Sequence, residues 1–165
     1  MRLRGDRISV GQLLFRVGAF HGLELQAQAN SLVFSRGGEE DHEGLEDLGL
    51  GAKLRIISDG PVGMNLSLLT ALSFPKGSES LTSDEAVPAL SVLADFPLAF
   101  TLGLSANLGF AGYAGFFADS GPRHFVEGGM TWIPGPDLQL DINGGVDVDT
   151  GDGFFGVGVA TRWFF

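Results

Sequence analysis

The segment DVDTGDG (147–153) places three carboxylates close together, at Asp147, Asp149 and Asp152. This composition suggests a calcium loop, because hard cations prefer oxygen ligands. An EF-hand, however, needs oxygens at its first, third and fifth positions, Gly at the sixth and Glu at the twelfth. Here the third acid is one position late, the Gly is displaced and no Glu follows. The pattern favours a tight acidic hairpin over a metal site, and no cofactor is expected.

The chain has three histidines, His21, His42 and His124, and no pair has the helical spacing of metal ligands. The nucleophile-elbow pattern Gly-x-Ser-x-Gly is also absent. A lipid hydrolase built on strands needs only a Ser and a His on adjacent strands, and His124 is the candidate for that alternative. We expect solvated histidines and no enzymatic activity.

Composition excludes several classes of protein. The 165 residues suit one domain, 1–165, with a sizeable core. The chain has 20 acidic against 10 basic residues, a formal net charge of -10, which opposes binding to nucleic acid. Cysteine is absent, which excludes disulfides and thiolate metal sites. Charged residues and prolines interrupt every apolar run before it reaches the length of a membrane helix, and MRLRGDR does not begin a secretory signal.

Strict alternation of apolar and polar residues predicts strands almost throughout the chain. In the clearest case Leu138, Leu140 and Ile142 share one face, with Gln139 and Asp141 on the other. We predict about nine strands of roughly 9–12 residues, a length that lets a tilted strand cross a bilayer. The alternation is plainest in residues 8–20, 23–29, 48–56, 100–108, 138–148 and 155–165.

Short and long connections alternate between these strands. The predicted short turns are residues 21–22, 58–61, 95–97 and 134–136, which are rich in Gly, Pro and Asp. The predicted long loops are residues 35–46, 75–86 and 111–122, with a smaller one at 149–153. Short turns at one end and long loops at the other are typical of an antiparallel, up-and-down transmembrane β-barrel. Residues 1–7 are expected to form an N-terminal arm.

The polar faces of the predicted strands carry Gly, Ser, Asn and Gln with few charges, which suits a hydrated lumen better than a water-exposed sheet. In lipid, unpaired edge N–H and C=O groups are costly, so we expect the strands to close into a barrel. The charged residues predicted to line the lumen are Arg16, Glu24, Lys53, Arg55, Glu127, Asp141, Asp147 and Arg162. The aromatic girdle is predicted at Trp132, Trp163 and Phe165.

The sequence resembles an outer-membrane transporter family named for the MetA pathway of phenol degradation. The resembling segments are LLFRVGAFHGLELQAQ (13–28), DLGLGAKLRI (47–56), LSLLTALSFPKGS (66–78) and PDLQLDINGGVDVDTGDGFFGVGVATRWFF (136–165). This resemblance implies a barrel in the bacterial outer membrane that passes small hydrophobic or aromatic solutes. It also implies that the C-terminal Phe165 is a signal to the barrel-assembly machinery.

The chain departs from this family in its number of strands. Family members carry another strand before the first one recognised here and a further hairpin in the second half. Because single-chain bacterial barrels normally have an even number of strands, we expect about 8–10 strands and an N-terminally truncated chain. Two binding alternatives remain at this point: a structural outer-membrane barrel without transport, and a soluble, lipocalin-like ligand-binding barrel.

The densest charge cluster is EEDHE (39–43), followed by Glu46 and Asp47. We expect a solvated loop here. The functional alternatives are a divalent-cation bridge to lipopolysaccharide and a field that repels anionic solutes. The expected partners are therefore membrane lipid and lipopolysaccharide, together with an unidentified small solute.

Overall fold

The computed structural model describes residues 6–10, 13–29, 32–36, 42–79, 82, 85–111 and 123–161. No helix in these ranges is long and apolar enough to cross a membrane. The described chain forms twelve strands and one 3-10 turn, Pro61–Gly63, which confirms the predicted all-β class. The strands are β1 (Asp6–Val10), β2 (Leu13–Phe20), β3 (Leu23–Ala29), β4 (Leu32–Arg36), β5 (His42–Leu45), β6 (Leu48–Ile57), β7 (Asn65–Phe74), β8 (Val87–Ala99), β9 (Leu102–Ala111), β10 (Arg123–Gly135), β11 (Leu138–Asp147) and β12 (Gly153–Thr161).

Nine strands form one antiparallel sheet, in the order β12-β11-β10-β9-β8-β7-β6-β3-β2. From β6 to β12 every strand is paired with its neighbour in the sequence, as in an up-and-down meander. The shortest strand of the sheet, β3, has 7 residues, and the longest, β8 and β10, have 13. The predicted antiparallel sheet of about nine strands is confirmed.

The remaining strands form a three-stranded sheet in the order β1-β4-β5. β1 pairs with β4 and β2 with β3, and in both pairings the numbers of the partner residues add to 42. Asp6 thus lies opposite Arg36, and Leu13 lies opposite Ala29. A shared register is the property of one hairpin, and its turn is at His21–Gly22, as predicted.

The predicted turn at 95–97 is wrong, because β8 continues through these residues to Ala99. The chain turns instead at Phe100 and Thr101. Pro97 lies opposite Gly103, and the register shifts between Pro97 and Ala99. A proline lacks the N–H that a ladder requires, but it is tolerated beside an irregularity near the end of a strand.

Two other predicted connections are shorter than expected. β10 runs to Gly135 after a register shift that follows Trp132, so the turn lies at 136–137 rather than 134–136. In the predicted loop 35–46, β4 extends to Arg36 and His42–Leu45 form β5, which pairs with β4. Polar residues hid these strand ends, because alternation is weakest where both faces are polar. The predicted arm 1–7 likewise overlaps β1, which begins at Asp6.

The side chains that are covered in this sheet are the polar and small ones. Along β9, Leu104, Ala106 and Leu108 are exposed, whereas Ser105 and Asn107 between them are partly covered. Large apolar side chains are exposed in every strand of the nine-stranded sheet, and the most covered polar residues are Ser67, Ser91 and Asp147, at 1%, 8% and 8% exposure. This distribution is the reverse of that in a water-soluble sheet, which covers its apolar face.

The chain divides into two compact units. The first comprises residues 1–53 and 71–88, and the second comprises residues 54–70 and 89–165. In the first unit, the connection after β7 is attached to the residues before β6: Asp47 Oδ1 accepts hydrogen bonds from the backbone N–H groups of Lys76 (3.1 Å) and Gly77 (2.9 Å). The second unit contains the whole of β9, β10, β11 and β12.

Candidate functional site

The candidate site is the polar face of β8–β12 in the second unit. The antiparallel registers arrange this face in transverse rows, so that one residue from each strand lies beside its neighbour. From β8 onwards the four rows are Ser91, Gly109, Phe125, Asp147; then Leu93, Asn107, Glu127, Gly145, Phe154; then Asp95, Ser105, Gly129, Asn143, Gly156; then Pro97, Gly103, Thr131, Asp141, Gly158.

The second row, here called the Glu127 row, contains a carboxylate bound to a neutral amide. Asn107 Nδ2 donates a hydrogen bond to Glu127 Oε1 at 2.7 Å. Within the described residues, Asn107 Oδ1 is buried and has no hydrogen-bond partner. A Cβ on Gly145 would lie only 2.7 Å from both Glu127 Cβ and Phe154 Cε1. The carboxylate side chain and the ring therefore border the same glycine from opposite sides.

The fourth row holds a second carboxylate, Asp141, among neutral donors. Thr131 Oγ1 donates to Asp141 Oδ1 at 2.7 Å. Gln139 Nε2 donates to the two carboxylate oxygens at 2.9 and 3.0 Å. On the other side, Gly158 lies opposite Asp141 and would place a Cβ 3.6 Å from that of Asp141. Hydroxyl and amide donors, rather than a cation, thus stabilise this carboxylate.

Glycines on this face make room for larger neighbours. A Cβ on Gly109 would overlap the ring of Phe125, and a Cβ on Gly156 would overlap the amide of Asn143. Both larger side chains therefore lie along the sheet, over the glycine of the adjacent strand. This explains why glycine alternates with apolar residues in the sequence: it lets side chains cover the wall instead of projecting from it.

An ion pair and a tight turn close the end of the face where β11 meets β12. Arg123 forms a salt bridge with Asp147, and Asp147 Oδ1 also accepts hydrogen bonds from the N–H groups of Asp149 (2.9 Å) and Thr150 (3.1 Å). Asp152 accepts a hydrogen bond from Thr150 Oγ1 at 2.9 Å. These carboxylates hold the turn. In the part of the chain that is described, no three acidic or imidazole groups are placed to hold a metal ion.

His124, the candidate base of the hydrolase alternative, lies at the same end of the second unit. Its Nδ1 is 3.0 Å from Asp149 Oδ2, and its ring makes an edge contact with Phe110, with centroids 5.5 Å apart. His124 lies opposite Phe110 in the β9–β10 ladder. The imidazole therefore attaches the start of β10 to the β11–β12 turn.

The predicted lumen charges fall on different strands of the sheet. Arg16 in β2 lies opposite Gln26, whose Nε2 donates to Glu24 Oε1 at 2.7 Å. Lys53 and Arg55 lie on β6. Arg162 lies outside the described residues. Glu127, Asp141 and Asp147 share the face described above, and the partner of Asp147 is Arg123, which sequence reasoning missed.

Sequence reasoning also missed Asn107, Phe125, Thr131, Gln139 and Phe154. The alternation in β9 and β10 was the available signal, since it places Asn107 and Glu127 on the polar faces of their strands. Which rows those residues share depends on the register, and alternation does not specify it.

The remaining predicted residues have separate outcomes. Trp132 lies in β10, opposite Leu102 and Leu140, and is half exposed. Trp163 and Phe165 lie outside the described residues, as do Glu39, Glu40 and Asp41 of the acidic loop. Asp47, in contrast, accepts a hydrogen bond from Thr82 Oγ1 at 2.6 Å in addition to its two backbone donors, so it holds the local chain together.

No family model, curated protein or solved structure matches this chain.

Proposed function

We propose that this protein is an outer-membrane β-barrel that provides a passive route for small solutes along its polar face. The observation that carries the proposal is the reversed exposure of the sheet. Phe155, Val157 and Val159 of β12 are 75%, 76% and 72% exposed, while Gly156 between them is more covered. Hydrocarbon is the solvent in which such an apolar face is stable.

The energetic difference between water and lipid supports this proposal. Covering one Val, Leu or Phe side chain contributes about 1.5–3 kcal/mol. The exposed apolar residues occur in all nine strands of the sheet, so a water-exposed form would forgo that contribution many times over. A soluble, lipocalin-like barrel would require the opposite faces to be covered, and the described exposures disfavour it.

Strand directions specify what closure of such a barrel requires. β2 and β12 are the two ends of the strand order. With nine antiparallel strands, the first and the ninth run in the same direction. A closed barrel therefore contains either a parallel pair at its seam or one more strand that is antiparallel to both ends. Closure satisfies the edge N–H and C=O groups, which is obligatory in lipid.

The proposed route is narrow. A barrel of about eight strands has an interior that side chains nearly fill, and a wide aqueous channel needs about sixteen strands. Glycines on the polar face leave room for small solutes, and Glu127 and Asp141 would tune selectivity. The resemblance to the phenol-degradation transporter family supports small hydrophobic or aromatic solutes. The exposed face would contact lipid and lipopolysaccharide, and recognition of Phe165 by the assembly machinery belongs to the same proposal.

Detergent extraction followed by electrophoresis with and without boiling tests the membrane barrel. We expect a folded band of altered mobility in the unboiled sample, because membrane barrels resist dodecyl sulfate until they are heated. Protein that stays dispersed without detergent would instead support a soluble barrel.

Conductance across a planar bilayer tests the route. We expect small steps whose size or ion preference changes in Asp141→Asn. The control, Asp137→Asn, removes the same charge from the exposed β10–β11 turn and should conduct like the wild type. Silent bilayers would support a structural barrel without transport, and identical steps in Asp141→Asn would remove the polar face of β8–β12 from the route.

A further inference from the structure

We propose that the Glu127 row binds the ammonium group of small organic cations. The inference rests on the proposed function only in taking the polar face as the surface that solutes meet. The row combines a carboxylate, a carboxamide with an unused acceptor and an aromatic ring. These are the three kinds of group that recognise an N–H-bearing cation.

The carboxylate supplies the charge. Its hydrogen-bond partner among the described residues is the neutral amide of Asn107, whereas Asp147, one row away, forms a salt bridge with Arg123. The register neighbours of Glu127 are Asn107 and Gly145, and neither carries charge. Glu127 thus retains its negative charge uncompensated by a neighbouring cation in the described chain, and an incoming cation would compensate it.

The carboxamide supplies an acceptor. Because Nδ2 of Asn107 donates to Glu127, the amide orientation is specified and Oδ1 points away from the carboxylate. Oδ1 is buried and has no donor in the described residues, which is uncommon in folded proteins. An ammonium group has several N–H donors, so it can bind the carboxylate and this oxygen together.

Two rings supply the apolar and cation–π contacts. Phe154 borders Gly145 next to Glu127, and Phe125 precedes Glu127 by two residues on the same face, about 7 Å away along the strand. An ammonium is attracted to an aromatic face within about 6 Å of the ring centroid. The rings favour an organic cation over a hydrated metal ion, which requires several oxygen ligands.

Titration of the folded protein in detergent micelles with benzylammonium chloride, followed by calorimetry, tests the proposal. Benzyl alcohol and sodium benzoate have a similar shape but are neutral and anionic. We expect benzylammonium to bind and the other two to bind at least about tenfold more weakly, since a charge-assisted hydrogen bond is worth a tenfold change or more.

Three variants separate the row from general electrostatics. Glu127→Gln keeps an oxygen that can accept from Asn107 Nδ2, so the fold is retained, and we expect binding about tenfold weaker. Phe154→Leu should weaken binding several-fold through the lost ring. The matched control Asp137→Asn, which removes one charge from the β10–β11 turn of the same unit, should bind like the wild type. Unboiled gel mobility verifies that each variant is folded.

The outcomes distinguish this proposal from the proposed function. Equal binding of benzyl alcohol, unchanged binding by Glu127→Gln, or equal weakening by Asp137→Asn would overturn the cation site. Conductance without Glu127-dependent binding would keep the route and remove the site. Silent bilayers with Glu127-dependent binding would keep the site and remove the route.

Discussion

Replacing Gly145 by Ala tests whether the rows of the polar face are packed as described. A Cβ at this position would lie 2.6 Å from the carbonyl oxygen of Val126, 2.7 Å from Glu127 Cβ and 2.7 Å from Phe154 Cε1. The ring can rotate away, but the carbonyl oxygen belongs to the backbone of β10. The added methyl group therefore forces β10 and β11 apart locally.

The expected cost follows from two opposing effects. Overpacking a well-packed position costs about 1–3 kcal/mol. Replacing glycine by alanine within a strand recovers about 0.5–1 kcal/mol of conformational entropy. The net loss of unfolding free energy is then about 1–2 kcal/mol. With a urea m-value of about 2 kcal/mol/M, the midpoint should fall by about 0.5–1 M.

The assay is a urea titration of protein folded in detergent micelles, followed by tryptophan fluorescence. Gly135→Ala is the matched control, because Gly135 also ends in the β10–β11 ladder and a Cβ there meets nothing within 4 Å. We expect the control to be neutral or slightly stabilised. If Gly145→Ala unfolds at the same urea concentration as Gly135→Ala, the close approach of Glu127 and Phe154 over Gly145 is wrong.

Two further predictions concern single interactions. Thr131→Val keeps the shape of the side chain but removes the 2.7 Å hydrogen bond to Asp141, so we expect a loss of about 1 kcal/mol in the same titration, with Gln139 still donating; an effect no larger than that of Thr101→Val in the exposed β8–β9 turn would contradict the bond. Gly151→Ala should cost about 1–2 kcal/mol, because Gly151 has a φ of +75°. Gly153→Ala, two residues later, should cost little, and equal effects at both positions would refute the left-handed turn.

Most of the fold was predictable from the sequence because alternation has a direct physical cause. Successive side chains of a strand point to opposite faces, so Leu138, Leu140 and Ile142 had to share one face. The turn at His21–Gly22 was predictable as well, since Gly22 has a φ of +80°. The turn at 95–97 was not, because Pro97 is usually a turn signal and lies within β8 here.

The candidate site was predictable only in its types of residue. Alternation placed Glu127, Asp141 and Asp147 on polar faces, but it did not predict their partners. Arg123 follows a long segment and gave no signal of its pairing with Asp147, which lies 24 residues later. Cross-strand partners depend on register, and register depends on turns and bulges along both strands.

The sequence by itself determined the all-β class, the approximate number of strands and the identity of the two faces, because these follow from local alternation and turn residues. Only the tertiary structure decided which face is covered, where the β8–β9 turn lies and which residues form the Glu127 row. Coverage and register arise from contacts between strands that are distant in the chain. A pattern within one strand contains no information about how far its neighbour is shifted.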